Sequence, residues 1–168
     1  PTILKALHVA LDRGEIHLKY QQLYDKEDTN LYTYEVTCGF IYGNTWKDLS
    51  CLKELSEDPE LSIKLDRWIL VESCKQLHNF ITQYPEAKLI VNLNKAVLFN
   101  DRSFPEFIAK LITIVRSKLS HPIILQFSED DISQNLTEAQ KYIAQLRQYG
   151  AEISIRDFGN TIYSESIL

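Results

Sequence analysis

Hydrophobic residues recur along this chain at two spacings, one typical of helices and the other typical of strands. Residues 2 to 13 place apolar side chains three or four positions apart, which predicts a helix that ends at Gly14. Residues 16 to 20 then alternate apolar with polar side chains, the period of a half-buried strand. Residues 31 to 42 are rich in tyrosine and β-branched residues, and they predict a second strand.

The rest of the chain continues the alternation with longer helices and shorter strands. The later strand patterns are continuous apolar runs, typical of strands buried on both faces of a sheet. Thr137 and Gln140 form a capping box that predicts the start of a helix ending at Gly150. The other predicted elements are helices over about 45–57, from Pro59 to before Tyr84, and over about 103–118, and strands over 87–94, 123–128 and from Ile153.

Five strands interleaved with helices predict an α/β fold, either a largely parallel sheet or an incomplete TIM-type β/α barrel. Chemistry in such folds lies at the carboxyl ends of the strands. The polar residues at these ends are Glu35, Asn92, Gln126 with Glu129, and Arg156 with Asp157. An Asp-Asp pair in the last position would indicate metal chemistry, whereas the arginine argues against it.

Composition excludes several classes of protein. A length of 168 residues is typical of one domain, and a formal net charge of -5 gives no electrostatic footprint for a nucleic acid polymer or an anionic membrane. No apolar run reaches the roughly 18 residues that span a bilayer. The cysteines Cys38, Cys51 and Cys74 have no disulfide-framework or zinc-site spacing. We therefore expect a reduced, cytoplasmic location, and a chain that begins at Pro1 is expected to be part of a longer one.

Six short motifs occur in order along the chain. They are Tyr20-Gln21-Gln22, Glu35-Val36-Thr37, Leu65-Asp66-Arg67-Trp68, Val91-Asn92-Leu93-Asn94, Gln126-Phe127-Ser128-Glu129, and Asp157-Phe158-Gly159 followed by Tyr163-Ser164. In order and spacing they resemble the motifs of the EAL domain, the cyclic di-GMP phosphodiesterase-type barrel of bacterial signalling proteins. The resemblance covers essentially the whole chain. It implies one EAL-like domain over residues 1–168, with a modified TIM barrel as its fold.

The resemblance also implies a metal site, and this sequence departs from it. Active members of the family use two divalent ions, held by Glu, Asn, Glu, Asp and Asp on successive strands, to activate water. The corresponding residues here are Glu35, Asn92, Gln126, Arg156 and Asp157. One Glu and one Asp are lost and one Arg is gained, so the formal charge of the set changes from -4 to -1. A guanidinium repels dications, so we expect no bound metal, with Mg²⁺ or Mn²⁺ only if the chain is nevertheless active.

Two further departures concern the ligand and the barrel. The family's arginine that contacts a ligand phosphate corresponds to Gly39, and the proline of its Tyr-Gln-Pro motif corresponds to Gln22. The family's later segments, including a lysine in a Lys-Ile-Asp strand, have no counterpart, so the C-terminal part of the barrel is expected to be missing. The remaining candidate ligand-binding residues are Gln21, Gly39 and Glu129.

These residues lead to two expectations for function. The first is a catalytically inactive EAL-like signalling module, either a cyclic di-GMP receptor or a platform for protein interaction or dimerisation. Its partners would be other signalling domains of the same chain, a separate protein, or a second copy. The alternative is an active, metal-dependent phosphodiesterase that hydrolyses cyclic di-GMP to linear pGpG.

Each candidate residue also has a structural interpretation. Glu35 is as readily a structural acid as a ligand, and we expect Arg156 to bridge it to Asp157. Asn92 is as readily a satisfied core amide. Glu129 with the two acids that follow it fits a solvated loop leading into a helix. Cys38 fits a small core residue, Trp46 and Trp68 fit core positions on helices, and the four histidines fit the surface.

Overall fold

The computed structural model describes residues 2–23, 32–49, 52–119 and 121–156. The strands are β1 (His17–Gln22), β2 (Thr33–Tyr42), β3 (Thr45–Asp48), β4 (Lys88–Asn92), β5 (Ile123–Ser128) and β6 (Glu152–Arg156). The helices are α1 (Thr2–Asp12), α2 (Pro59–Phe80), α3 (Lys95–Phe99), α4 (Phe104–Val115), α5 (Glu129–Ser133) and α6 (Leu136–Gln148), with a 3-10 helix at Lys53–Glu57. None of the helices in these ranges is long and apolar enough to cross a membrane.

The six strands form one mixed sheet. Its order is β1-β2-β4-β5-β6, and β3 pairs with the second half of β2. Strands β2, β4, β5 and β6 are parallel, whereas β1 and β3 are antiparallel to β2. The sheet does not close within the described residues, so the fold is α/β with an open stretch of β/α barrel wall, as the alternating pattern predicted.

The two faces of this sheet have different surroundings. Apolar side chains such as Val36, Val91, Leu125 and Ile153 alternate along the strands and are buried in one hydrophobic core with the helices. The residues between them point to the opposite face, which we call the inner face. Because side chains alternate along a strand, the inner face carries Glu35 and the other polar residues of the neighbouring strands.

The helix predicted over residues 45–57 is wrong. Residues 45–48 are strand β3, and the 3-10 helix follows. The cause is the two-residue connection between β2 and β3, because Gly43 and Asn44 both have positive φ angles, 57° and 62°. This is the geometry of a type I′ hairpin turn, which glycine and asparagine favour. Trp46 therefore lies on the sheet and not on a helix.

The capping box predicted at Thr137 and Gln140 is also displaced. Helix α6 begins two residues earlier, at a cap formed by Asn135, whose side chain accepts a hydrogen bond from the Glu138 backbone N–H at 3.4 Å. The Asn135 amide donates in return to the Glu138 carboxylate at 2.8 Å. The short helices α3 and α5 were not predicted, because five residues are too few to show a helical period.

An ion pair connects α2 to the segment before α4. Arg67 donates two hydrogen bonds to the Asp101 carboxylate, at 2.9 Å and 2.7 Å, and the Asp101 side chain is only 8% exposed. The Arg67 guanidinium also lies 4.6 Å from the centroid of the Phe107 ring. This bidentate pair therefore fixes α2 against α4 on the helical side of the sheet.

We expect Arg67→Ala to lower the free energy of unfolding by about 2 kcal/mol, because it leaves the buried Asp101 carboxylate without its cation. Lys75→Ala on the same helix is the matched control, since Lys75 pairs with Glu72 at the surface, and it should change stability by less than about 0.5 kcal/mol. Urea unfolding measures both. Equal effects would contradict a structural role for the Arg67–Asp101 pair.

Candidate functional site

The carboxyl ends of the parallel strands bring four of the five predicted pocket residues together on the inner face. Asn92, Gln126 and Ser154 are register neighbours across β4, β5 and β6. Glu35 reaches the same group from β2, and Arg156 lies two residues beyond Ser154 on β6. Asp157 lies outside the described residues. The structure thus places these four side chains, which come from separate motifs, in one polar cluster.

Hydrogen bonds connect the cluster into one network. The Gln126 amide nitrogen donates to Asn92 Oδ1 at 2.7 Å and to Glu35 Oε2 at 3.4 Å. The Asn92 amide nitrogen donates to the same Glu35 oxygen at 3.1 Å. Ser154 Oγ donates to Gln126 Oε1 at 3.0 Å, which orients the amide. Glu35 is therefore the acceptor on which two amides converge.

Arg156 joins this network through an amide. Its Nη1 donates to Asn92 Oδ1 at 3.3 Å, and no direct ion pair with Glu35 is present among the described residues. The expected bridge from Arg156 to Glu35 is therefore wrong as a direct contact. Asn92 stands between them, because it accepts from the guanidinium and donates to the carboxylate. The other half of the expected bridge, to Asp157, lies outside the described residues.

In the described part of this cluster, hydrogen-bond donors compete with metal ions for the oxygens. Mg²⁺ and Mn²⁺ bind oxygen lone pairs, and the Asn92 oxygen already accepts hydrogen bonds from Gln126 and Arg156, while Glu35 Oε2 accepts from two amides. The four described side chains carry one negative and one positive charge. Among the described residues, no group of three or more His, Cys, Asp or Glu is placed to hold a metal ion.

The three candidate ligand-binding residues lie around this network. Gln21 is the register partner of Glu35 on β1 and is exposed on the inner face. Gly39 lies further along β2 and is covered by the Trp46 indole. Glu129 begins α5, as expected of a helix lead-in, but it is only 5% exposed. The expectation that Glu129 is solvated is wrong, because the start of α5 turns back against β5 and encloses its side chain.

Several structural interpretations hold. Burial raises the pKa of the Cys38 thiol to about 12, so it is not a reactive nucleophile at neutral pH. The histidines His8, His17, His78 and His121 are exposed, as predicted. Trp46 is the exception among the aromatic residues considered, because it is 36% exposed on the sheet rather than buried on a helix.

Asp66, part of a motif on α2, has a role that the sequence did not reveal. Its carboxylate accepts hydrogen bonds from the Asn94 backbone N–H at 2.8 Å and from the Asn94 amide at 2.9 Å. Asp66 is only 1% exposed, and burial raises its pKa to about 7. It therefore fixes the turn that follows Asn92, from the helical side of the sheet. The sequence motif alone could not show that the pKa of Asp66 is raised.

A small cavity lies between this turn and the network. Its volume is about 50 Å³, and Cys38, Asp66, Asn92, Asn94 and Arg156 are among its lining residues. That space admits one or two water molecules and no nucleotide. This cavity is therefore too small to hold a ligand much larger than water.

An open β/α barrel wall with a polar cluster at its parallel strand ends defines the class of the protein. The chain belongs to the EAL domain family, whose model matches residues 4–164. Among curated relatives, a 76.5 kDa protein of Thiocystis violacea is 24% identical over 131 residues, which are 78% of this chain and 18% of that protein. The chain thus spans about one fifth of the length of the curated relatives that it matches.

Solved structures share the fold. The FimX EAL domain from Pseudomonas aeruginosa bound to cyclic di-GMP is 20% identical, with a TM-score of 0.80 over 98% of this chain and 66% of that chain. The PaMucR phosphodiesterase in complex with cyclic di-GMP is also 20% identical, with a TM-score of 0.83 over 100% of this chain and 69% of that one. The chain is therefore related to proteins that bind or hydrolyse cyclic di-GMP.

We expect Asp66 to make the protein less stable as the pH rises from about 4 to about 7. The native carboxyl keeps its proton up to about pH 7, whereas the unfolded one loses it near 3.8, so the native state binds more protons in this window. The free energy of unfolding should fall by at most about 1.4 kcal/mol per pH unit because of this group.

Asp66→Asn keeps an acceptor for the Asn94 backbone N–H and removes the titration. Urea unfolding between about pH 5 and 8 should therefore show a flatter curve for the variant than for the wild type. Glu57→Gln is the control, since Glu57 is exposed on the 3-10 helix, and it should leave the slope unchanged in this window. Parallel curves for Asp66→Asn and wild type would contradict the raised pKa.

Proposed function

We propose that this chain is a non-hydrolytic EAL-like signalling module that binds cyclic di-GMP without metal ions. The observation that carries the proposal is the hydrogen-bond network in which Gln126 donates to Asn92 and Glu35, and Arg156 donates to Asn92. These donors take the place that divalent ions hold in the active members that the motifs resemble.

Hydrolysis by the two-metal route requires cations that bind the phosphodiester and lower the pKa of an attacking water. To bind here, a dication would have to displace the Gln126 amide from Asn92, where the nitrogen-to-oxygen distance is 2.7 Å. It would also approach the positively charged Arg156 guanidinium, which repels a dication. Both costs oppose metal binding, so the phosphodiesterase alternative is disfavoured.

The charges of the same residues support a receptor. Cyclic di-GMP carries two phosphates, and a cluster of several carboxylates would repel it unless metal ions intervened. Here the described part of the cluster balances Glu35 with Arg156, and Lys19 adds an exposed cation on the inner face. The fold shared with solved complexes of cyclic di-GMP makes this dinucleotide the first ligand to test. The curated relatives are several times longer than this chain, which fits a module that acts together with other domains.

Calorimetric titration with cyclic di-GMP, first with chelator and then with Mg²⁺ or Mn²⁺, tests the proposal. We expect binding without metal, an affinity that added metal leaves unchanged, and no linear pGpG by chromatography. Metal-dependent turnover would establish the phosphodiesterase instead. Absence of binding under both conditions would overturn the receptor and leave a docking or dimerisation platform, which sedimentation of the chain would then examine.

Restoring the two lost acids should restore a metal site. We expect the double variant Gln126→Glu with Arg156→Asp to gain affinity for Mn²⁺, because it removes one guanidinium and one amide donor and adds two carboxylates. Calorimetry with Mn²⁺ measures the gain, and each single variant shows how far one position suffices. The control is Gln134→Glu with Arg147→Asp on exposed positions away from the network. A double variant that titrates like wild type would show that these positions do not set the metal affinity.

A further inference from the structure

The Trp46 indole packs against the Gly39 backbone on the inner face. A Cβ atom added to Gly39 would lie 2.3 Å from Trp46 Cζ2 and 2.6 Å from Trp46 Cε2. Such distances are far below van der Waals contact, so the ring is seated on the glycine backbone. The type I′ turn makes this possible, because it returns β3 beside β2 and pairs Trp46 with Ile41 on the face that carries Glu35.

Two side chains of β1 lie next to this indole. Lys19 Nζ lies over the ring, 4.3 Å from its centroid, and the His17 ring centroid lies 6.1 Å away. Both residues are exposed and belong to β1, where His17 is the register partner of Gly39. Ile41 is 57% exposed and Trp46 is 36% exposed. The Lys19 ammonium thus covers part of a partly exposed indole on the inner face, where Asp48, the register partner of Gly39 on β3, is also exposed.

This surface and the network lie at the same height on the sheet. The register of β2 with β4 places residue 37 beside Asn92, so Gly39 is two residues further along. Arg156 is likewise two residues beyond Ser154, the register partner of Gln126. Three strand spacings separate β2 from β6, about 14 Å along the sheet. A ligand with an aromatic ring at one end and phosphate in its middle can therefore contact Trp46 and the cations together.

We propose that Trp46 is a stacking platform for one guanine base of cyclic di-GMP, which takes the place of the Lys19 ammonium over the indole and leaves Lys19 to meet the adjacent phosphate. This subsite rests on the receptor function proposed above. Stacking on an exposed indole suits any base because every base has a π face, and the ammonium supplies the charge complement of the phosphate. The competing explanation is that Trp46 only shields the Gly39 backbone, as cross-strand aromatic residues do for glycines in sheets.

Tryptophan fluorescence can observe this subsite directly. Trp68 on α2 is the second tryptophan, and Trp68→Phe leaves Trp46 as the sole emitter. Titration of this variant with cyclic di-GMP in chelator should quench the emission with the same midpoint that calorimetry gives. Calorimetric binding without any change in Trp46 emission would overturn the subsite and leave the receptor function standing. Absence of calorimetric binding would overturn the receptor, and the subsite with it.

Two substitutions separate stacking from simple folding effects. Trp46→Ala should weaken binding roughly tenfold, as loss of one base–aromatic stack does, whereas Trp68→Phe should leave the affinity unchanged. Gly39→Ala would place a Cβ atom 2.3 Å from the indole and 2.6 Å from the Lys47 carbonyl oxygen, so it displaces both the ring and the β3 backbone and should weaken binding to at least a similar degree. Wild-type affinity in a folded Gly39→Ala or Trp46→Ala variant, checked by circular dichroism, would overturn the subsite.

The role of Lys19 has its own readout. Lys19→Gln should weaken binding and reduce its dependence on salt concentration, because a phosphate contact by a cation is screened by salt. Lys75→Gln is the matched control, since Lys75 lies on α2 away from the inner face. Equal salt dependence in Lys19→Gln and wild type would remove Lys19 from the subsite.

Discussion

The arrangement of the strand ends depends on hydrogen-bond donors that share the same acceptor oxygens. Two amides meet at Glu35 Oε2, and an amide and a guanidinium meet at Asn92 Oδ1. A polar group withdrawn from water must find a partner, and in this network each donor satisfies an acceptor that metal ions could otherwise occupy. The same contacts cross from β2 through β4 and β5 to β6. The network therefore holds the strand ends together and engages Asn92 Oδ1 and Glu35 Oε2 as acceptors.

The hairpin of β2 and β3 also shapes the inner face. A tight turn at Gly43 and Asn44 returns the chain beside β2, and this return brings Trp46 over Gly39. An aromatic ring from β3 thus occupies the space beside Gly39 that a side chain at this position would need. The family resemblance implies an arginine at this position. In this chain an aromatic ring, rather than an arginine or an empty space, lies there.

Much of the fold was predictable because buried parallel strands leave continuous apolar runs in the sequence. The strand at Ile123–Ser128 was predicted with the observed bounds. The hairpin was missed because the apolar residues of 45–57 imitate a helical spacing, while the decisive signal was the pair Gly43-Asn44. The cluster of Glu35, Asn92 and Gln126 could be predicted because their backbone positions on neighbouring parallel strands bring their side chains together. The contacts of Arg156 could not, since a long side chain can reach several acceptors.

The protonation of Asp66 shows why motif letters alone underdetermine such a site. Asp66 belongs to a motif on α2, yet its effect is exerted on Asn94, which follows the strand that carries Asn92. Burial on the helical side of the sheet raises its pKa, while two donors from Asn94 oppose that rise. The Asp66 carboxyl, on the helical side of the sheet, thus sets the geometry of the turn after Asn92. The Asn92 side chain belongs to the network on the inner face. The inner-face network is therefore coupled to the packing of α2, and mutations on that helix can alter the site without touching it.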